Sequence, residues 1–226
     1  MIAVIGAMDQ EIQALTEAMS GIDAVRDGYA SIVTGTLWGR RTAVCRCGVG
    51  KVHAALAAQA LILRYRPEAL INIGVAGALW PDARIGDAVI ASSCVQHDVD
   101  TSPVGDPVGM ISGIDRVYLP CDEALSRRLF DAAGAVCAGR FTGVIATGDQ
   151  FIDTVEKKAL IRGRFGALVC DMEGGAIAQA AYEYAVPFAA YRCVSDTLTG
   201  NGAEYRVNAA LAAEKSRGIL RAFLTD

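Results

Sequence analysis

Short apolar runs alternate with longer amphipathic stretches along most of this chain, and the two patterns predict different elements. Apolar runs bounded by turn residues are typical of buried strands, whereas apolar residues that recur every three to four positions indicate helices. Strands are predicted over 2–5, 31–37, 42–47, 69–74, 85–95, 143–147, 167–171 and 187–194. Helices are predicted over 9–20, 51–65, 122–137, 154–163, 173–184 and 203–224.

The order of these elements predicts the fold class. Strands that alternate with helices form a largely parallel or mixed sheet between layers of helices. We therefore expect a three-layer α/β/α sandwich with a mixed central sheet, built as a single domain over residues 1–226. A chain of 226 residues is long enough for one large domain of this kind.

Two segments depart from the simple alternation. Residues 51–65 are apolar nearly all round, which predicts a buried helix. Residues 96–119 form a long connection that is rich in Gly and Pro but also carries apolar side chains such as Val104, Met110 and Ile111. Because exposed apolar surface of this extent is costly, we expect a partner to cover the segment.

Composition narrows the classes of function. The chain is 53% hydrophobic and 20% charged, which suits a sheet covered on both faces. Its net charge of −4 and its lack of a basic run argue against a nucleic-acid binder. The first residues lack the basic region of a secretory signal, and no apolar run reaches the roughly 18 residues of a membrane span.

The seven cysteines indicate a reducing compartment. Their number is odd, they form no C-x-x-C pair, and most lie inside apolar runs. Such cysteines are typical of buried thiols in a cytosolic protein, so we expect the protein in the cytoplasm. With only His53 and His97 available, neither a cysteine nucleophile nor a zinc site is expected.

Three acids lie close to the ends of predicted strands, where α/β proteins commonly carry their chemistry. Glu11 lies one turn into the first helix, Glu173 opens a helix of small residues, and Asp196 follows the run VPFAAYRCV. Each acid alone can simply favour a helix N-terminus or open a loop. Other motifs in the chain also lie just after predicted strands. Because these motifs can supply partners for the acids, all three acids are candidate functional residues.

Three motifs with glycine also follow predicted strands. GVGKV (48–52) resembles a nucleotide-binding loop, but His53 replaces the small residue of a dinucleotide site and Val52 replaces the Ser or Thr of a P-loop. NAD and ATP are therefore not expected, and a tight turn is the simpler interpretation.

NIGVAGAL (72–79) can admit a flat ligand or pack closely on a helix. In ATGDQFID (146–153), Phe151 can stack on a purine or pack on the next helix.

Taken together, these ordered motifs resemble the purine nucleoside phosphorylase superfamily and, within it, the 5′-methylthioadenosine/S-adenosylhomocysteine nucleosidases. The resemblance covers essentially the whole chain. It is carried by IGAMDQEI, GVGKV, NIGVAGAL, HDVD, ATGDQFI, the pair Met172-Glu173 and RCVSD. It implies a nucleoside phosphorylase-like fold, and hydrolysis of an adenine nucleoside to adenine and a 5′-substituted ribose without a metal or cofactor.

The resemblance also implies a role for each matching residue. Asp196 matches the acid that protonates or hydrogen-bonds the leaving adenine, Glu11 matches the acid that holds the attacking water, and Glu173 matches the acid that binds the ribose hydroxyls and is expected to stay ionised. This chain has Val75 where the nucleosidases often carry Ser, so water positioning is expected to rest on Glu11 and Arg192. The substrate-binding positions are Met8, Val49, Val75, Gly77, Phe151, Ile152, Met172, Glu173, Arg192 and Ser195.

Three alternatives remain open at this point. A phosphorylase needs cations around a phosphate dianion, and no Arg lies between Pro67 and Pro81, where phosphorylases of the family commonly place one. A hydrolase of aminodeoxyfutalosine would differ only around the 5′ substituent of the nucleoside. A nucleoside-binding protein without activity could lose Glu11 or Asp196, whereas this chain keeps both.

A homodimer is also expected. The apolar residues of 96–119 need cover, and the resemblance places Val49 and the start of the helix 51–65 near a two-fold interface. We expect the 96–119 segment of one subunit to help cover the 5′-substituent pocket of its neighbour.

Overall fold

A computed structural model describes all residues of the chain, 1–226, and contains eleven strands and six α-helices. The strands are β1 (Ile2–Gly6), β2 (Met19–Asp27), β3 (Ala30–Leu37), β4 (Arg40–Arg46), β5 (Ala69–Asn72), β6 (Val75–Ala78), β7 (Ala88–Gln96), β8 (Tyr118–Pro120), β9 (Arg140–Thr147), β10 (Ala167–Asp171) and β11 (Phe188–Asp196). The helices are α1 (Asp9–Glu17), α2 (Lys51–Tyr65), α3 (Glu123–Gly134), α4 (Val155–Phe165), α5 (Gly174–Glu183) and α6 (Gly202–Thr225).

The predicted three-layer α/β/α arrangement with a mixed sheet is confirmed. The strand order is β2-β3-β4-β1-β5-β11-β6-β10-β9-β7-β8. Helices α2 and α5 pack together over one face, and α1, α3 and α6 cover the other. Helix α4 packs on β9 and β10 over a smaller cluster that includes Ile161 and Phe165. None of the helices combines the length and hydropathy that crossing a membrane would require.

The long strand β11 determines how the strand ends meet. It runs parallel to β5 and β6 and antiparallel to β7, so β11, β6, β10, β9 and β7 close into a ring. In β6, Gly77 pairs with Asp196 on one side and with Cys170 on the other. Strands β10 and β11 run in opposite directions on the two sides of β6, but β6 has only four residues, so the last residues of both strands lie beside Gly77.

Most predicted elements are present, with ends shifted by a few residues, and the differences near the first helix have a clear cause. Helix α1 stops at Glu17, because Met19 already pairs with Leu37 in the sheet. Strand β2 was not predicted, since most of Met19–Asp27 is exposed and lacks an alternating apolar set. An edge strand with both faces polar leaves no period-two signal in the sequence.

The predicted strand 69–74 ends at Asn72, and a second strand that was not predicted, β6, begins after a break at Gly74. This residue has φ +153°, and a Cβ there would lie 2.7 Å from a carboxylate oxygen of Glu11. The break therefore makes room for an acid from another element, which an apolar run of residues cannot indicate.

Helix α2 has its predicted bounds, but the prediction that it is buried is wrong for one face. Leu61 is fully buried, whereas Val52, Leu56 and Leu63 are 70%, 59% and 60% exposed. These three positions follow helical spacing and share one face. The chain itself leaves this apolar face uncovered.

The 96–119 segment folds back onto its own chain, contrary to the expectation that it leaves much apolar surface in water. It contains a 3₁₀ turn over Ser102–Val104, the strand β8, and a bridge between Ile111 and Arg116. Ile111 belongs to the main core cluster and Met110 is half-buried. Only Val104 among the named apolar residues is largely exposed, at 81%.

The packing of α6 gives a test of this layer. Leu220→Ala should lower the free energy of unfolding by about 2–5 kcal/mol, because the side chain is fully buried in the cluster with α3. Leu211→Ala on the same helix is the matched control, since Leu211 is 46% exposed and its loss should cost under about 0.5 kcal/mol. Denaturant unfolding measures both, and equal losses would contradict the described packing of α6.

Candidate active site

A cleft opens where β1, β10 and β11 end and β6 begins, and it encloses about 680 Å³ including its mouth. Its wall carries four carboxyl groups and no Lys or Arg, so the cleft favours a neutral or cationic ligand over an anion. The four acids are Glu11, Asp171, Glu173 and Asp196. The other lining residues are Ala7, Met8, Val49, Val75, Ala76, Gly77, Gln150, Phe151, Ile152, Cys170, Met172, Ser195 and Tyr205.

All of the residues predicted for the site line this cleft except Arg192. Its guanidinium is buried behind the wall, where it donates hydrogen bonds to the carboxylate of Asp171 and to the side chain and backbone carbonyl of Asn72. Arg192 therefore lies behind the wall of the cleft, and its supporting role around the sugar and the water stays a prediction. The position of Arg192 fixes Asp171, which was not predicted.

Three backbone amides hold the carboxylate of Glu11. Oε2 accepts hydrogen bonds from the N–H groups of Ala7 (2.7 Å) and Met8 (3.0 Å), and Oε1 accepts one from the N–H of Val75 (3.2 Å). Burial raises the pKa of Glu11, although the amides and the nearby Arg192 act in the opposite direction. The hydrogen bond from position 75 to Glu11 uses the backbone N–H, which Val supplies as Ser would, whereas the polar side chain of a Ser is absent.

Glu173 stands at the N-cap of α5 and faces the GVGKV turn. Its Oε1 accepts a hydrogen bond from the N–H of Gly50 at 3.0 Å, and Gly50 has φ +100°, a conformation that favours glycine. Burial raises the pKa of Glu173 to about 8, and the charge of Asp171 adds to the effect. The ligand-free cleft therefore favours the protonated form of Glu173, whereas the expectation that Glu173 stays ionised concerns the complex in which it accepts from the ribose hydroxyls.

Asp196 ends β11 with both carboxylate oxygens occupied. Oδ2 accepts a hydrogen bond from the ammonium of Lys158 at 2.9 Å, and Oδ1 accepts one from the hydroxyl of Ser195 at 3.0 Å. Asp196 and Lys158 are both buried. A Cβ on Gly77 would lie 2.8 Å from Oδ2, so the glycine allows the acid to approach β6 closely.

Two aromatic rings form the mouth of the cleft. Phe151 meets Tyr205 edge to face, with ring centroids 5.5 Å apart. The hydroxyl of Tyr205 lies 3.3 Å from the sulfur of Met8, which links α6 to the start of α1. Phe151 therefore packs on α6 rather than on the helix that follows it, and it stays 44% exposed at the cleft.

Several residues that line the cleft were not predicted, and the sequence pattern could have indicated only some of them. Asp171 ends a predicted strand two residues before Glu173, so its position was readable. Tyr205 lies in the last helix, far from any strand end, and nothing in the sequence marks it. The structure shows no cluster of three or more His, Cys, Asp or Glu side chains that could hold a metal ion.

The raised pKa of Glu173 predicts how stability depends on pH. The folded protein keeps this proton up to about pH 8, whereas the unfolded chain loses it near the ordinary value of 4.5. The folded state binds more protons between these values, so its free energy of unfolding falls as pH rises through this window. Glu173→Gln removes this loss, so its free energy of unfolding relative to the wild type should increase as the pH rises from 4.5 to 8.

Thermal and urea unfolding at half-unit pH steps measure the difference between wild type and Glu173→Gln. Glu183→Gln, an exposed position in the same helix, is the control. A difference that stays constant across this pH range would contradict the assignment of the titration to Glu173.

Comparison with known proteins gives a consistent result. A family model described as the phosphorylase superfamily matches residues 1–225. The 5′-methylthioadenosine/S-adenosylhomocysteine nucleosidase of Shewanella piezotolerans is 36% identical over 217 residues, which cover 93% of this chain and 94% of that protein.

Solved structures agree with the sequence comparison. The same nucleosidase from Neisseria meningitidis, in complex with methylthio-immucillin-A, superposes with a TM-score of 0.94 at 32% identity, covering 99% of this chain and 98% of that one. The futalosine hydrolase of Helicobacter pylori superposes with a TM-score of 0.92 at 28% identity, covering 99% and 96%. These matches span nearly the whole sequence, and the chain therefore belongs to the phosphorylase superfamily, in the family of the 5′-methylthioadenosine/S-adenosylhomocysteine nucleosidases.

Proposed function

We propose that this protein hydrolyses the N-glycosidic bond of 5′-methylthioadenosine and S-adenosylhomocysteine, and also that of 5′-deoxyadenosine, to release adenine and the 5′-substituted ribose. The observation that carries the proposal is the convergence of Glu11, Glu173 and Asp196 on one cleft without a cation on its wall. The names of the relatives supply the substrate class.

Asp196 acts on the leaving base. The bond between sugar and base breaks through a sugar cation, as in other glycoside hydrolyses, and its electron pair goes to the adenine. A proton on N7 lets the base leave as neutral adenine. Asp196 therefore has to hold or share a proton with N7 in the substrate complex, and that proton stays on the adenine as the bond breaks. Phe151 provides an aromatic surface for the purine, and the backbone of Ile152 binds its edge.

Glu173 and Glu11 act on the sugar. Glu173, next to Met172, accepts from the ribose hydroxyls, and its negative charge in the complex favours the developing sugar cation. Glu11 holds the attacking water and takes its proton as the water oxygen bonds to the sugar carbon. Burial raises the pKa of Glu11, which makes its carboxylate a stronger base than an exposed one.

The charge of the cleft supports water over phosphate as the nucleophile. A phosphate dianion needs cationic donors, and here the wall offers four acids while Arg192 lies behind it. The mouth also carries Val49, an apolar residue at the expected place of the 5′ substituent, which suits an alkylthio group.

The decisive assay measures adenine release from 5′-methylthioadenosine with and without phosphate. Hydrolysis predicts equal rates and free 5′-methylthioribose in both cases. A requirement for phosphate would identify a phosphorylase, and a preference for aminodeoxyfutalosine would identify the activity that the futalosine hydrolase neighbour suggests. Binding without any release of adenine would identify a binding protein.

Asp196→Asn should lower kcat by about 10²–10⁴-fold while 5′-methylthioadenosine still binds, because the amide keeps the shape of the acid but lacks its proton. Calorimetric titration gives the affinity, and release of adenine gives the rate. Asp153→Asn, an exposed position, is the control and should behave as wild type. An Asp196→Asn enzyme that keeps more than about a tenth of the wild-type kcat would refute the role of Asp196.

The same proposal includes a homodimer and a cytoplasmic location. The seven cysteines are buried and free, which suits a reducing compartment.

The uncovered apolar face of α2, with Val52, Leu56 and Leu63, is the surface that a second copy would cover. Val49 precedes this face and lines the cleft, so a dimer formed there would also border the 5′-substituent pocket. The 96–119 segment lies on the same side, since Lys51 at the start of α2 pairs with Asp98.

Leu56→Asp should convert the dimer into a monomer, because a charge would be buried in the centre of the apolar contact. Sedimentation velocity at micromolar concentration should show twice the chain mass of 23.7 kDa for wild type and the chain mass for the variant. Leu160→Asp on α4 is the control, since Leu160 is equally exposed, at 60%, on another face. A monomeric wild type would contradict the dimer.

A further inference from the structure

Helix α4 buries a charged residue that the proposed reaction has not yet used. Lys158 has no exposed surface and stands in helical register with Ile161 and Phe165, the two residues that anchor α4 to the sheet. A lysine is almost never fully buried unless its charge is paired. Its partners should therefore explain why the protein keeps it there.

The ammonium of Lys158 has three hydrogens, and the structure offers three acceptors. They are Oδ2 of Asp196 at 2.9 Å, the carbonyl oxygen of Thr197 at 2.7 Å and the carbonyl oxygen of Gly200 at 3.1 Å. Lys158 therefore ties the carboxylate to the 197–200 turn that leads into α6. Glu204 of α6 secures the same turn from its other side through the amide and hydroxyl of Thr197.

The two oxygens of Asp196 are held unequally. The Ser195 hydroxyl that donates to Oδ1 also lies 3.2 Å from the carbonyl oxygen of Ala76, so it can turn to that acceptor and leave Oδ1 free. Lys158 has no such alternative, because releasing Oδ2 would leave a buried ammonium short of one partner. A ligand that enters the cleft can therefore take Oδ1, while Oδ2 stays fixed.

The same helix connects the acid to the base-binding surface. Phe151 and Ile152 line the cleft just before α4 begins, and Lys158 follows within its first turns. One short stretch of chain thus carries both the surface for the purine and the residue that fixes the acid. The distance between purine and acid depends on this stretch as a unit.

We infer that Lys158 is a positioning residue for the reaction: it fixes Oδ2 of Asp196 and the 197–200 turn, so that Oδ1 is presented to the leaving base. The inference rests on the proposed function, because it assumes that Asp196 meets the base. Lys158 itself touches neither substrate nor water, and it acts only through Asp196.

The test is a double-mutant cycle with full-length protein: wild type, Lys158→Met, Asp196→Asn and the combined variant. Lys158→Met keeps the length of the side chain and removes its charge and donors. We expect kcat for 5′-methylthioadenosine to fall about 10–100-fold, since a small misplacement of a catalytic group has effects of this size, while KM changes less than about threefold. In the Asp196→Asn background the same substitution should change kcat less than about twofold, because its target is gone.

Two controls separate positioning from general damage. Lys157→Met alters the exposed neighbour on the same helix and should match wild type in kcat and in unfolding temperature. Lys158→Gln retains two donors, serves in the cycle if Lys158→Met does not fold, and should recover part of the lost kcat. Unfolding temperatures should show Lys158→Met as less stable than the combined variant, in which neither charge is left alone.

Three results would overturn the inference about Lys158. The first is a Lys158→Met enzyme with kcat within twofold of wild type. The second is an equal loss in both backgrounds, which would mean that Lys158 acts independently of Asp196. The third is a loss confined to KM. A wild-type protein that releases no adenine is a separate outcome, since it refutes the proposed function before any variant is compared.

Discussion

Four carboxyl groups face one cleft in this protein, and the cost of burying their charge governs the structure around them. A buried carboxylate is stable only when hydrogen bonds or an opposite charge replace the water it has lost. Asp171 and Asp196 each have a buried cation, Arg192 and Lys158, on the side away from the cleft. Removing one member of such a pair typically costs about 3–5 kcal/mol, so these pairs constrain the fold as well as the site.

The other two acids are stabilised differently. Glu11 is held by three amides from the ends of β1 and the start of β6, and Glu173 receives one amide from the GVGKV turn. Neither has a direct cationic partner, and burial raises the pKa of both. The cleft thus contains two acids that are paired with a buried cation and two that are held by backbone amides, so the four carboxyl groups have different surroundings.

Features of the fold and of the cleft could be predicted only where they impose a pattern on the sequence. Buried strands and one-faced helices have a period, so the mixed sheet and most element positions were accessible, and the acids at strand ends followed from the fold class. The dependence of Glu11 on a gap at Gly74, and of Asp196 on Gly77, could not be predicted, because both are contacts between elements that are far apart in the sequence. Strand β2 was missed because an exposed edge has no apolar alternation.

Lys158 shows the limit most clearly. In sequence it belongs to the run EKK at the start of a helix, and such a charge is normally solvated. Only its spacing of three and seven residues from Ile161 and Phe165 indicates the inner face, and that spacing says nothing of Asp196. The sequence shows which face of the helix carries Lys158, but only the folded structure shows that Asp196 is its partner.

The position of the cations also bears on the choice of nucleophile. Arg192 and Lys158 both lie behind the wall, where Arg192 donates four hydrogen bonds and Lys158 donates three, each including one to a carboxylate of the wall. The charged groups on the cleft wall are therefore four acids and no cation, which disfavours a phosphate dianion. Phosphorolysis on this fold would require a cation on the cleft side of the wall. The cations lie behind the wall, and this position favours hydrolysis over phosphorolysis. The sheet and its acids would suit either reaction.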